Sequence, residues 1–294
     1  MPELPDVAVY VEKVAELWAG QRLRRLTIVN PFLLRTVDPP PDAFAGKALV
    51  GTRRIGKRVV LEFQDELFAV LHLMIAGRLR SLAAGKKPPG RITLATFEFE
   101  NGTLVLTEAG SKRRASLHLV RGASAAAAFD PGGMELASAT SAAFRARLTQ
   151  ENHTLKRALT DPHAFAGIGN AYSDEILFRA RLSPLAMTMK LTDDEITRVF
   201  DACRAVLEEW TTRLREQAGH GLPENVTAFR PEMAVHGKFG QPCPVCGSPV
   251  QRIVYAENET NYCARCQTGG KLLADRSLSR LLHASWPRSI DELG

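Results

Sequence analysis

Aromatic residues are scarce, at 7% of the 294-residue chain, and cysteine occurs only five times. No stretch approaches the ~18 uninterrupted apolar residues of a membrane-crossing helix, so an integral helical membrane protein is not expected. The first residues, Met1-Pro2-Glu3-Leu4-Pro5-Asp6, lack both a positively charged lead and an apolar core, so a secretory leader is not expected either. Internal repeats are absent, and low complexity is limited to Ala125 through Ala128. What is present is ordinary for a globular protein: 45% apolar and 24% charged residues, a balance that excludes a fibrous or wholly disordered chain. The length suggests two domains with a small third module. The formal net charge of +6 suits either plain solubility or an anionic partner such as nucleic acid.

Four of the five cysteines sit close together. Cys243-x2-Cys246 is followed, sixteen residues on, by Cys263-x2-Cys266. Two such pairs are the sequence form of a four-thiolate zinc ribbon, because each pair places two sulfurs on one tight knuckle. Pro242, Pro244, Gly247, Pro249, Gly269 and Gly270 supply the turns. The alternative, two disulfides, needs an oxidising compartment that nothing else indicates. A closed four-sulfur site leaves no open position, so one structural rather than catalytic Zn2+ is expected. Cys203 lies in an apolar helical stripe and reads as a core residue.

The chain changes texture along its length. Val7, Val11, Val14 and Trp18 recur at helical spacing, and Gly20 follows, which predicts a helix over residues 6–19. From Arg22 to about Val120 short strands dominate, among them residues 26–29, 59–63, 67–73, 92–99 and 103–106. Asn101-Gly102 is a hairpin signal between the last two. No helices alternate with these strands, so a mostly antiparallel sandwich is expected rather than a parallel α/β sheet. Residues 121–143, rich in Ala, Ser and Gly, read as a linker. Beyond them the pattern is helical, and Thr192-x-x-Glu195 is a capping box ahead of one long apolar face from Ile196 to Leu214. A loop rich in Gly and Pro covers 218–234, and a tail over 271–294 carries an amphipathic stretch at Leu278, Leu281 and Leu282.

The expected fold class is therefore α+β. It has a helix-led antiparallel β-sandwich at 1–120, the linker at 121–143, a helical domain at 144–234, a zinc ribbon at 235–270, and the tail.

Several motifs carry chemistry. Gly167-Ile168-Gly169-Asn170 precedes a helical segment, where two glycines permit close backbone approach and Asn170 can cap the helix. Such a turn can hold a phosphate on free helix amides, or serve only as an interhelical turn. Arg53, Arg54, Lys57 and Arg58 form one basic cluster and Lys112-Arg113-Arg114 another; each can be a solvated face or a phosphate-neutralising groove wall. Methionine before proline is usually removed. A freed Pro2 would present a secondary amine with a pKa near ~8, neutral and nucleophilic in part at pH 7, with Glu3 beside it as acid or base. Alternatively, Pro2, Pro5 and Asp6 only shape a helix start.

Taken together these residues resemble the formamidopyrimidine-DNA glycosylase and endonuclease VIII family of base-excision repair enzymes. The resemblance is ordered along nearly the whole chain: Pro2-Glu3-Leu4-Pro5-Asp6-Val7, Gly56-Lys57, His72-Leu73-Met74-Ile75-Ala76-Gly77, Gly167-Ile168-Gly169-Asn170-x-Tyr172-x-x-Glu175, Val235-x-Gly237 and the four cysteines. It implies a helix-two-turns-helix domain and a bifunctional glycosylase and abasic-site lyase. Pro2 would attack C1′ of a nucleotide flipped from the duplex, and Glu3 would move protons. Lys57, Lys156 and Asn170 would contact DNA, and the finger hairpin would approach the minor groove. It implies double-stranded DNA with oxidised bases or abasic sites as partner, and a monomer; the absence of targeting signals suggests a cytoplasmic location, nucleoid-associated if the source is bacterial.

The chain also departs from the family pattern. Asp6 stands at a common Glu position. The wedge methionine falls on Ile75, with Met74 before it, and either can fill the void left by a flipped base. Arg113 or Arg114 can face the orphan base, while Ala115 replaces a wedge phenylalanine. Asn258 occupies the position of a phosphate-gripping arginine, whose bidentate contact an amide cannot reproduce. These departures support an alternative: a family member that binds damaged DNA without cutting it.

Overall fold

The computed structural model describes residues 1–110, 112–224, 226–255, 258–274 and 287–293. The tail residues Leu278, Leu281 and Leu282 lie outside the described residues. Two compact units emerge, one of residues 1–131 with 209–227, the other of residues 132–208 with 228–294. Among the described residues no helix is long and apolar enough to cross a membrane.

The first unit opens with helix α1, Leu4–Trp18. Its apolar face (Val7, Tyr10, Val14, Trp18) is fully or almost fully buried, as the helical spacing demands. Eight strands follow: β1 Leu23–Ile28, β2 Leu49–Ile55, β3 Arg58–Phe63, β4 Leu67–His72, β5 Gly77–Ala83, β6 Thr93–Phe99, β7 Gly102–Glu108 and β8 Ser116–Arg121. They form two four-stranded sheets, ordered β1-β6-β7-β5 and β2-β3-β4-β8. All pairs are antiparallel. Alternate residues such as Val59, Leu61 and Phe63 of β3 and Leu104 and Leu106 of β7 share one core with the helix, the arrangement of a β-sandwich.

The expected hairpin joins β6 and β7, one residue out of the expected register. Phe99 pairs with Gly102, so Glu100 and Asn101 form the loop and Gly102 opens the strand. A Cβ on Gly102 would lie 2.6 Å from the Leu82 carbonyl oxygen, so the neighbouring strand, not the turn, requires glycine there. Within 121–143, helix α2 (Ala123–Ala127) buries Ala126 beside Val60, Phe68 and Val70.

In the second unit, α3 (Ser141–Leu148), α4 (Leu155–Thr160) and α5 (Asn170–Ala180) precede the long helix α6, Asp193–Ala218, whose last turns belong to the first unit. The Thr192 capping box forms as expected: the Thr192 amide donates to Glu195 Oε2 at 2.8 Å, and the Glu195 amide to Thr192 Oγ1 at 3.3 Å. The finger contains a hairpin of β9 (Gln251–Tyr255) and β10 (Asn258–Tyr262), followed by α7 (Ala264–Thr268).

Candidate functional site

In the first unit the site grows from the start of α1. Glu3 is the N-cap and Asp6 the third helical residue, and they close a reciprocal capping box. The Glu3 amide donates to Asp6 Oδ2 at 3.0 Å, and the Glu3 carboxylate accepts from the Asp6 amide. Asp6 thus spends an oxygen on shaping the chain start, a role its short side chain suits. Both carboxylates are 3% exposed, and Pro2 is buried. The α-amine, carried by Met1, is held below its ordinary value, chiefly by burial and also by the charges of Arg78 and Lys57; Glu3 and Asp6 oppose this. A partly desolvated, deprotonation-prone amine, two carboxylates and two cations therefore act on one another here.

Lys57 sits on the tight turn between β2 and β3, where Gly56 takes a φ of 55°. The rest of that basic cluster is largely structural. Arg53 is ion-paired with Glu62, Arg54 donates to the Gly56 carbonyl at 2.6 Å, and Arg58 donates to the Phe129 carbonyl at 3.2 Å. Sequence spacing alone could not separate these roles, because the carbonyls and Glu62 are brought in by pairing and by α2.

Met74 and Ile75 lie on the turn from β4 to β5. Met74 adopts a left-handed φ of 51°, and Ile75 is 57% exposed at the tip. The Gly77 amide donates to the Leu73 carbonyl at 2.8 Å, and a Cβ on Gly77 would stand 2.2 Å from that oxygen, so only glycine closes this turn. Arg78, which the sequence analysis did not single out, donates to the Gly77 and Ile75 carbonyls at 2.6 and 3.1 Å. It braces the turn while acting on the chain's amine.

Arg113 and Arg114 are exposed on the loop before β8. The loop's shape comes from Glu108, 1% exposed, whose carboxylate accepts the Arg114 amide at 3.0 Å and the Ala115 amide at 3.1 Å. Arg113 donates to the Arg91 carbonyl at 2.5 Å. Ala115 is buried in the core, so it places no side chain at the surface.

His72 ends β4, paired with Arg58 and Ser116. Burial first, then Arg58, Lys57 and His118, push its imidazole down to about 4, so it is neutral at pH 7. The strand register places the Lys57 turn, the Met74-Ile75 turn and the Arg113 loop at one end of the sandwich.

In the second unit Asn170 does not cap α5, contrary to the expectation. Gly169 is the N-cap, and Asn170 begins the helix with its side-chain amide donating to the Glu259 carbonyl of β10 at 2.9 Å. Lys156 donates to the Asn170 carbonyl at 2.7 Å and to Asp174 Oδ1 at 2.5 Å. Asp174 also takes the His236 ring nitrogen at 2.7 Å and the Asn261 amide at 3.1 Å. Glu175 accepts the amides of Ala234, Val235 and His236 at 2.8, 2.9 and 2.9 Å. The buried acids of α5 thus anchor the finger, with backbone amides as partners that no residue-type motif reveals. Asn258 opens β10, but its side chain lies outside the described residues.

The four cysteine sulfurs lie within 4.8 Å of one another, with Cys243 to Cys266 at 3.9 Å and Cys246 to Cys263 at 3.4 Å. Four sulfurs ~2.3 Å from one ion stand about 3.8 Å apart in a tetrahedron, so the donor set fits one structural zinc.

A helix-led sandwich with a carboxylate-flanked amine, and a glycine-turn helical unit tied to a four-thiolate finger, define a helix-two-turns-helix zinc-finger protein. Comparison with known proteins refines this. Residues 1–114 match the formamidopyrimidine-DNA glycosylase N-terminal domain, 131–216 that enzyme's H2TH domain, and 240–269 the zinc finger found in FPG and IleRS. A formamidopyrimidine-DNA glycosylase of Thermus thermophilus is 33% identical over 286 residues, spanning 92% of this chain and 100% of the relative. The crystal structure of the MutM (Fpg) protein from that organism superposes with a TM-score of 0.76 at 31% identity, covering 90% of this chain and 98% of that one. A Lactococcus lactis Fpg solved with abasic-site DNA shares the fold, with a TM-score of 0.79 at 24% identity over 90% of this chain and 99% of its own. The chain belongs to the formamidopyrimidine-DNA glycosylase family.

Proposed function

We propose that this protein is a base-excision repair enzyme, a DNA glycosylase with abasic-site lyase activity, and that Pro2 is its nucleophile once Met1 is removed. The observation that carries this reading is the neighbourhood of the chain's α-amine, partly desolvated and flanked by the buried carboxylates Glu3 and Asp6. The lone pair of the Pro2 nitrogen attacks C1′ of an everted nucleotide. The C1′–N bond breaks, and the base leaves with that electron pair and a proton. The attached nitrogen gives up its proton, its lone pair expels the ring oxygen by breaking the C1′–O4′ bond, and the open-chain iminium so formed acidifies C2′–H. Glu3 moves protons, first toward the sugar ring oxygen and then from C2′. Elimination breaks the C3′–O bond and then the C5′–O bond. Lys57, Arg113, Arg114, Lys156 and Asn170 are the proposed DNA contacts, and Met74 or Ile75 fills the space of the everted base. The zinc holds the finger's fold and takes no part in these steps.

Borohydride trapping on abasic-site DNA tests the assignment, alongside the intact mass of the purified protein. The expected result is a protein lacking Met1 that forms a covalent complex, lost in Pro2→Gly and reduced by about 10²-fold or more in Glu3→Gln. Undiminished trapping by both variants would falsify the roles given to them. A second reading, a damaged-DNA binder that does not cut, is favoured by the burial of Ala115 and by Asn258. Tight binding without any trapping by the processed wild type would establish it.

A further inference from the structure

Phe32 is 80% exposed, the most exposed aromatic among the described residues. It does not sit on a loose loop. Pro31 to Leu33 form a single helical turn capped by Asn30, whose side-chain oxygen accepts the Phe32 amide at 3.0 Å. Before the turn, the Val29 and Asn30 amides donate to the Leu94 carbonyl at 2.9 and 3.0 Å. After it, the Arg35 amide donates to the Leu117 carbonyl at 2.9 Å, and Thr36 Oγ1 accepts the Leu119 amide at 2.9 Å. Leu33, 2% exposed, plugs into the sandwich core. The fold therefore fixes this turn at both ends and buries Leu33, while leaving the phenyl ring in water.

The ring's position is set by strand register. Ile28 pairs with Ala95, Thr93 with Thr107, and Glu108 with Gly77, so the turn that follows β1 shares a sheet end with Arg91, Glu108 and the Ile75 turn. In the order β1-β6-β7-β5 the Phe32 turn and the Ile75 turn flank opposite edges, three strand spacings or roughly 14 Å apart. Between them Arg113 reaches the Arg91 carbonyl. Arg35, Arg91, Lys112, Arg113 and Arg114 are all exposed along this end. A rigid apolar prong beside cations suits a partner that is both anionic and stacked, which describes a nucleic-acid duplex: phosphates meet the guanidinium groups, and a ring can enter between bases.

We propose that Phe32 inserts into or stacks on the bases of the bound duplex, as an apolar prong additional to Ile75, and so helps hold the helix distorted around the everted nucleotide. This rests on the DNA-repair reading above. The test uses the purified full chain and a duplex carrying a stable abasic-site analogue, with 2-aminopurine placed in turn at each position within three steps of it. Wild type should change the fluorescence at a position that Phe32→Ala no longer perturbs and Phe32→Trp still does. Phe32→Ala should bind about tenfold more weakly, as loss of one base-aromatic stack implies. Its thermal midpoint should match wild type, because the ring is exposed. Unchanged affinity and fluorescence in Phe32→Ala, with wild type binding normally, sink the inference while leaving the repair reading intact. So does a change in self-association in place of DNA binding. Failure of the wild type itself to bind the abasic duplex removes both.

Discussion

The buried carboxylates Glu3, Asp6 and Glu108 of the first unit, and the half-buried Arg78, have assigned tasks. Glu3 and Asp6 cap each other, Glu108 receives two loop amides, and Arg78 braces a turn beside the chain's amine. His72 carries a thermodynamic consequence. Its imidazole is pushed from an ordinary 6.5 to about 4, with burial the largest cause. Between those pH values the unfolded chain holds a proton that the folded His72 refuses, so folding stability rises with pH across that window and this contribution is flat on either side. The difference amounts to at most roughly 3 kcal/mol. A His72→Gln variant should lose much of this pH dependence. Thermal midpoints of both proteins measured from pH 4 to 7 check it, and parallel curves would contradict it.

At the scale of elements, helix α5 governs the second unit. It starts at a glycine N-cap and ends on Arg181 in a left-handed conformation, and its inward acids face the finger rather than solvent. Glu175 is 6% exposed and receives three backbone amides. Replacing it with Gln puts an amide donor where an acceptor is needed, which costs about 1–3 kcal/mol. Glu175→Gln should lower the denaturation midpoint accordingly and speed hydrogen exchange at residues 234–236. Unaltered exchange there would show that these amides have other support. The helices and strands themselves were largely legible beforehand. α1 spans Leu4–Trp18 where the apolar spacing indicates 6–19, because Glu3 is the N-cap. The long apolar face of α6 and its capping box appeared as expected, since both depend only on neighbours three or four residues apart.

For the whole molecule, the zinc and the proposed DNA partner set the expectations. Metal binding and folding are coupled in small thiolate modules. Chelation, or Cys246→Ser, should therefore release the finger and abolish binding to abasic-site DNA, with zinc content followed by atomic absorption. Full binding by a demonstrably metal-free protein would refute the coupling. The sandwich of the first unit has its own large core and should survive the same treatment.

The amino-acid order by itself determined the cysteine knuckles, the sandwich strands, the capping box and the family resemblance, because each is written in local spacing. Which charges are engaged was decided only by tertiary structure. Arg53, Arg54 and Arg58 look alike beside Lys57 in sequence, yet strand pairing and α2 bring the first an anion and the other two carbonyl oxygens. Asn170 looked like a cap until β10 offered it a carbonyl from 89 residues away. Phe32 and Leu33 are adjacent apolar residues, yet the sandwich core takes in Leu33 and leaves the Phe32 ring outside. Arg54 finds its carbonyl only two residues away, on the turn that strand pairing closes; in the other cases a partner farther along the chain fixes the outcome, and such a partner leaves no trace in local periodicity.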